Sequence, residues 1–285
     1  MSGFFITGTD TEIGKTYVTC LLIRDLCARG FRASGYKPLA CGDRGDALAM
    51  LEAAGSELAP DRVNPVYLRA ATAPYIAAEL ERRRIQPEEL LHGYRALASE
   101  YSPVLVEGAG GWEVPIAPGY VMADLARDLA LPVILIVGNK LGAVNHALMT
   151  VKAIRAAGLE CRSIVLNHMA ENWDTAAVTN RRLLQEFCDV PVAAELIHGQ
   201  TSIDSAAVLE PSALPSQELL VTLHALDGGV CHPHPLAPQL VHHKIVYLVH
   251  RPLMQVGVAH DATGSYVLRL QLELRFDEHQ QIPAG

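Results

Sequence analysis

Apolar residues concentrate in five short strand-like runs, at 4–7, 33–36, 104–106, 133–137 and 161–166. Longer stretches with apolar positions at helical spacing separate them, clearest at 15–29, 87–101 and 145–157. Short runs without polar alternation suit strands buried on both faces. Strands that alternate with helices predict an α/β fold, a mostly parallel sheet with helices on both faces and right-handed crossovers. Ligands gather at the carboxyl ends of such strands, so the segments to read for chemistry are 8–16, 37–46, 107–111, 138–145 and 167–169. The pattern weakens after about residue 226, which divides the chain into a main domain over 1–226, a Gly-, Pro- and His-rich linker over 227–243, and a C-terminal extension over 244–285. Within the extension "KIVYLVH" and "SYVLRLQLELRF" alternate like strands, with "HDATGS" as a turn between them, so a short β-rich or partly disordered tail is expected.

The first run leads into "ITGTDTEIGKTY" at 6–17, where Gly8 and Gly14-Lys15-Thr16 read as a phosphate loop of the G-x-x-x-x-G-K-[ST] type. In such a loop backbone N–H groups surround phosphate oxygens and the lysine reaches the transferable group. A strand before it and a helix after it are the expected context, which makes the sheet P-loop NTPase-like. Thr16 stands where a hydroxyl usually meets Mg²⁺, an ion that prefers oxygen ligands, including one or two carboxylates. Glu107 ends the apolar run "VLVE" and is a candidate ligand, with salt-bridging or capping as the plain alternative. Asp46 and Asp43, after the second run, are further candidates; Asp46 opens "DALAMLEAA", where an ordinary N-cap competes with a metal role. Lys37 in "GYKPL" follows a strand at the same sheet edge, and with Lys15 it supplies two positive charges suited to phosphoryl transfer to an anionic acceptor. "GAGGW" at 108–112 permits close backbone approach, or is only a tight turn. In "KLGAVNHALMT" the free N–H groups near Gly142 and Asn145 can accept a carboxylate, or simply begin a capped helix.

Composition narrows the partners. A net charge of −8 argues against holding nucleic acid by bulk electrostatics, and the most continuous apolar run, "LALPVILIVG" at 129–138, is too short to span a bilayer. With no basic, apolar leader, the expectation is a cytoplasmic protein with no membrane partner. Six scattered cysteines without C-x-x-C spacing suit reduced thiols. Histidines crowd the region from His232 to His279 without an accepted metal-ligand spacing, so a solvated tail is the simpler reading than a metal site.

Four segments in this order, "GTDTEIGKT", "GYKPLACG", "VEGAGGW" and "NKLGAVNHA", closely resemble the dethiobiotin synthetase family over about residues 2–226. The resemblance implies a homodimer of P-loop α/β subunits that uses MgATP to convert 7,8-diaminopelargonate and CO₂ (or bicarbonate) into a cyclic urea, dethiobiotin. It implies that Thr11, Lys15 and Lys37 contact a carbamate, and that Glu12, Ile13, Gly14, Lys15, Thr16 and Tyr17 form the phosphate loop. Thr16, Asp46 and Glu107 would hold Mg²⁺, with Gly108, Ala109 and Gly110 beside the nucleotide. Asn167, His168, Ile197, His198, Gly199 and Asp204 would lie around the adenine. Cys41 would touch the substrate, and Gly142 and Asn145 would bind the far carboxylate of substrate held by the partner subunit. The chain departs from the usual pattern at Cys41, where Ser or Thr is common; at His168, in place of Asp; and in "AELIHG", in place of a Gly-Glu-Ile-Pro type segment. Rival readings are a related P-loop amidoligase, which would need a glutaminase domain longer than the tail, and a ParA/MinD-like ATPase switch, which usually places a second lysine where Thr9 and Asp10 stand.

Overall fold

The five expected strands form, and a sixth joins them. In the computed structural model, which describes residues 3–171, 173–211, 244–247, 254–260 and 266–272, the sheet strands are β1 Gly3–Gly8, β2 Ser34–Tyr36, β3 Val104–Glu107, β4 Val133–Gly138, β5 Cys161–Asn167 and β6 Val192–Leu196. They are ordered β6-β5-β4-β1-β3-β2, and every pairing is parallel. The chain travels from β1 to the β2 edge, returns to β3, and then crosses to β4 on the other side of β1. That reversal of direction opens a crevice at the carboxyl ends of β1 and β3.

Strand alternation sorts the core into two layers. Phe4 and Ile6 of β1 face one layer with Leu105, Ile136 and Val165, packed by Val18, Leu21 and Leu22 of helix α1, Lys15–Ala28. Phe5 faces the other with Val104, Val106 and Leu135, where Trp112 meets it edge to face at a centroid distance of 6.2 Å. Each fully buried Phe or Leu contributes roughly 1.5–3 kcal/mol over its exposed state. Gly30, at φ 86°, turns the chain out of α1, its N–H donating to Cys27 O. Helix α2, Gly45–Ala53, is entered through Asp43, whose Oδ1 accepts from Gly45 N at 2.7 Å. Arg44 is the N-cap residue, so Asp46 does not serve as the cap and its carboxylate is free for other partners. Further helices are α3 Pro87–Ala98, α4 Met122–Leu129, α5 Ala143–Ala156 and α6 Thr175–Phe187. Among the described residues no helix is long and apolar enough to cross a membrane.

The chain divides into two compact units, Met1–Leu214 and Pro215–Gly285. The second contains an antiparallel sheet in the order β7 Lys244–Tyr247, β8 Met254–His260, β9 Tyr266–Leu272. β7 and β9 fall within the alternating segments; β8 was not foreseen. The domain limit at 226, the linker 227–243 and most of the expected turn lie outside the described residues.

Candidate active site

The phosphate loop is one residue longer than its pattern requires. Five residues, Thr9 to Ile13, separate Gly8 from Gly14, and left-handed backbone at Glu12 (φ 56°) and Gly14 (φ 87°) takes up the additional one. Gly14 also has no room for a side chain, because a Cβ there would collide with Asn167 Nδ2. Lys15 is buried at the start of α1, and its Nζ donates to Asp10 O at 2.7 Å, folded over the loop that it closes. Burial lowers its pKa and the like charge of Lys37 adds to this, against the pull of Glu107, Asp46 and Asp10.

At the crevice the ends of β2 and β3, the start of α1 and the first turn of α2 deliver Lys37, Glu107, Thr16 and Asp46 to one point. Thr16 Oγ1 lies 2.8 Å from both Asp46 Oδ1 and Glu107 Oε1. Lys37 Nζ donates to Asp46 Oδ2 at 2.6 Å, to Glu107 Oε1 at 2.7 Å and, more weakly, to Gly108 O at 3.4 Å. Glu107 is fully buried and Lys37 nearly so. Burial opposes the charge on Lys37, but Glu107 and Asp46 outweigh it and hold the ammonium above its ordinary pKa. Burial likewise opposes ionisation of Asp46, yet Lys37, with help from Thr16, keeps it below the usual carboxylate value.

The donor set suits a hard divalent cation. Thr16 has one hydroxyl hydrogen and two carboxylate oxygens at 2.8 Å, so one of these contacts aims lone pair at lone pair. Adjacent ligands of octahedral Mg²⁺, at about 2.1 Å from the metal, stand about 2.9 Å apart. The separations found here match that edge, and all three atoms are oxygens of the kind Mg²⁺ prefers.

Comparison with known proteins is consistent with this arrangement. Residues 2–201 match the AAA domain family. The ATP-dependent dethiobiotin synthetase BioD of Akkermansia muciniphila is 52% identical over 210 residues, covering 74% of this chain and 99% of that protein. The protein of the same name from Alteromonas mediterranea is 39% identical over 229 residues, covering 73% of this chain and 97% of the relative. This chain belongs to the dethiobiotin synthetase family. ATP-dependent dethiobiotin synthetase BioD 1 of Escherichia coli O157:H7 is 42% identical over 172 residues, covering 58% of this chain and 76% of its own.

The other positions that family membership brings into question fall in three groups. Around the crevice mouth, Thr11 and Glu12 are exposed on the phosphate loop, and Thr11 N donates to Asp10 Oδ1 at 2.8 Å. Gly108 is buried, Ala109 and Gly110 are half-buried, and Gly110 takes φ 68°. Cys41 ends the short strand Leu39–Cys41, paired with Val66–Leu68, and burial pushes its thiol pKa up to about 11. Such a thiol is a poor nucleophile and a weak donor.

At the far end of the sheet, Asn167 faces the phosphate loop, its Nδ2 donating to Ile13 O at 2.9 Å. His168 points to the opposite face. It is buried, stacked on Trp173 at 4.0 Å, and its Nε2 lies 2.8 Å from Glu195 Oε1. Asn139 Nδ2, a donor, lies 3.0 Å from the same Nε2, so the ring's tautomer decides which of the two contacts is a hydrogen bond. Asn139 Nδ2 completes this cluster by donating to Ala177 O at 2.9 Å. Tyr17 hydroxyl donates to Gln200 O and ties α1 to the exposed turn carrying Ile197, His198 and Gly199. Asp204 caps the helix Ser205–Leu209 and pairs with Arg29 at 2.6 Å, which gives it a structural duty away from the crevice. The third group, Gly142 and Asn145, is exposed at the N-terminus of α5, with Gly142 as its left-handed cap.

Reading by motif missed three residues that the structure recruits. Thr19, one turn into α1, is buried with its Oγ1 2.9 Å from Glu107 Oε2. Asn64 accepts nothing from Lys37 but donates to its carbonyl at 2.8 Å, fixing the backbone beneath the ammonium. Lys140 pairs with Asp10 at 3.5 Å across the loop. The i,i+4 spacing of Lys15 and Thr19 placed Thr19 on the loop side of α1; no local signal marked Asn64.

Proposed function

We propose that this chain is the ATP-dependent ligase that closes 7,8-diaminopelargonate and CO₂ into dethiobiotin. One observation carries the chemical reading: two lysines, two carboxylates and a hydroxyl converge at the end of a phosphate loop. One amine of the substrate adds to CO₂ and loses a proton to give a carbamate. A carbamate oxygen attacks the γ-phosphorus of ATP and ADP leaves, forming a carbamic–phosphoric anhydride. The second amine attacks the carbamoyl carbon, and phosphate departs with the C–O bonding pair as the urea ring closes. Bringing a carbamate to a triphosphate sets anion against anion, and Lys15 and Lys37 offset that repulsion while holding the reactants in line. Thr16, Asp46 and Glu107 would hold Mg²⁺, which supplies charge neutralisation at the phosphate oxygens. Backbone N–H groups of residues 12–17, opening α1, cradle the phosphates, and Gly108 to Gly110 line the other wall. Thr11 and Cys41 meet the diamine end of the substrate.

Asn167 and the Ile197–Gly199 turn flank the base; His168 supports that region from behind rather than touching it, and Asp204 shapes it through the 205–209 helix. Gly142 and Asn145 accept the far carboxylate of substrate bound by a second subunit. Exposed Leu141 (81%) and Met149 (61%) beside them support a homodimer through this face. A cytoplasmic setting suits the five unpaired cysteines among the described residues. The test is incubation of purified protein with diaminopelargonate, bicarbonate and MgATP, with mass spectrometry of the product. Dethiobiotin and ADP in equal amounts are expected; ATP turnover indifferent to the diamine, with no cyclic urea, would overturn the assignment.

A further inference from the structure

Two hydrogens of Lys37 are given to carboxylates and the third rests weakly on a carbonyl. An ammonium carries three N–H groups, and its neighbours are Asp46 Oδ2, Glu107 Oε1 and Gly108 O, at 2.6, 2.7 and 3.4 Å. The side chain is 5% exposed. A lysine so placed holds a carbamate or a phosphoryl oxygen only by giving up one of these contacts. Its two strong partners are the carboxylates assigned to the metal, and Glu107 Oε1 in particular is contacted by both Lys37 and Thr16.

We propose that Lys37 and the divalent cation exchange at this pair of carboxylates: the ammonium neutralises Asp46 and Glu107 until the metal arrives, and the metal then releases it toward the reacting groups. The inference rests on the metal site of the preceding section. A dication bound to Glu107 Oε1 at about 2.1 Å lies within about 5 Å of an ammonium that stays 2.7 Å from the same oxygen. Two positive ions on that one buried oxygen repel each other, and the burial of Glu107 strengthens the repulsion. The lysine has a reason to leave and four rotatable carbons to swing on, while its backbone stays clamped by Val63 O and Asn64. Thr19 holds Glu107 Oε2 throughout, so the carboxylate keeps its orientation as its cation changes. The catalytic lysine thus becomes available only in the metal-loaded site.

Mn²⁺ alone serves as the probe, with no nucleotide or substrate present, its free concentration read by electron paramagnetic resonance. Removing a competitor should tighten metal binding, so Lys37→Met is expected to bind Mn²⁺ at least about tenfold more tightly than wild type. Equal or weaker binding overturns the exchange. Because Lys37→Met leaves buried Glu107 and half-exposed Asp46 without their counter-ion, thermal melts of both proteins are taken with and without Mn²⁺; the variant should gain the larger rise, and an equal or smaller rise counts against the proposal. In the wild type, reductive methylation of Lys37 followed by peptide mass spectrometry should run at least about fivefold faster with Mn²⁺ bound, and an unchanged rate overturns it. If both proteins bind equally, the metal site stands and the exchange falls. If neither binds, the metal assignment falls with it.

Discussion

Lys37 keeps its charge in a place that would strip it from an isolated lysine. Glu107, buried completely, needs a cation as much as Lys37 needs an anion, and each makes the other's burial tolerable. Truncation to Lys37→Ala should lower kcat by about 100-fold or more, the scale of losing a group aimed at transition-state charge, while KM for ATP changes by less than about threefold. Steady-state kinetics separate these, and parallel losses in both would assign Lys37 to ground-state nucleotide binding. The same cluster sets a pH dependence. Asp46 is held below its ordinary value of 3.8, so its contribution to stability is complete above 3.8 and disappears as pH falls through the lower folded value. Lys37 is held above 10.5, so its contribution is complete below 10.5 and disappears as pH rises through the higher folded value. Between those limits the pair stays ionised. Asp46→Asn should therefore melt below the wild type at neutral pH, and the two midpoints should converge as pH falls through the lowered folded value of Asp46. Melts followed by circular dichroism across that range check the sign; a gap that persists in acid would mean that Asp46 acts through packing.

Among the elements, the phosphate loop and α1 place the site. Gly14 must adopt φ 87° and must leave space for Asn167, so Gly14→Ala incurs both a left-handed backbone cost of about 1–2 kcal/mol and a steric clash. Loss of detectable ATP binding and a fall of several degrees in the thermal midpoint are expected, measured by calorimetry. Retained affinity would show that Asn167 moves aside. Long elements with one consistent pattern were legible from the amino-acid sequence: β4 as an unbroken apolar run, β1 and β5 through their apolar centres "FFI" and "IVL", α1 and α5 as helices of about the expected extent. β6 was not, because "VAAEL" at a sheet edge is only partly buried and carries alanine and glutamate in place of a branched apolar run. The site divides the same way. Lys15, Thr16 and Glu107 were legible because each sits at a fixed distance from a strand end. Asn64 acts through a contact between residues remote in the chain, which no local spacing encodes, and Thr19 had its helix face marked by spacing but not its partner Glu107. His168 shows the limit of adjacency, since the pleat turns it away from its neighbour Asn167.

At the scale of the whole molecule, the candidate site and the described apolar core occupy the same part of the chain. Every member of the two buried apolar layers, among the described residues, lies between Phe4 and Leu209. The 210 residues aligned with the Akkermansia muciniphila relative cover 99% of that protein, so a chain without a comparable extension carries the family fold. The segment Pro215–Gly285 forms its own compact unit with its own antiparallel pairing. Buried apolar area within a cooperative unit sets its free energy of unfolding, and both described layers are built from residues of the first unit. Removal of residues 229–285 should therefore leave kcat and both KM values within about twofold of the full chain, since every side chain placed at the candidate site belongs to the first unit. Product formation by mass spectrometry and a thermal melt decide it. An insoluble or unfolded truncation would place the extension within the folding unit, and a folded but inactive one would place it within the catalytic cycle.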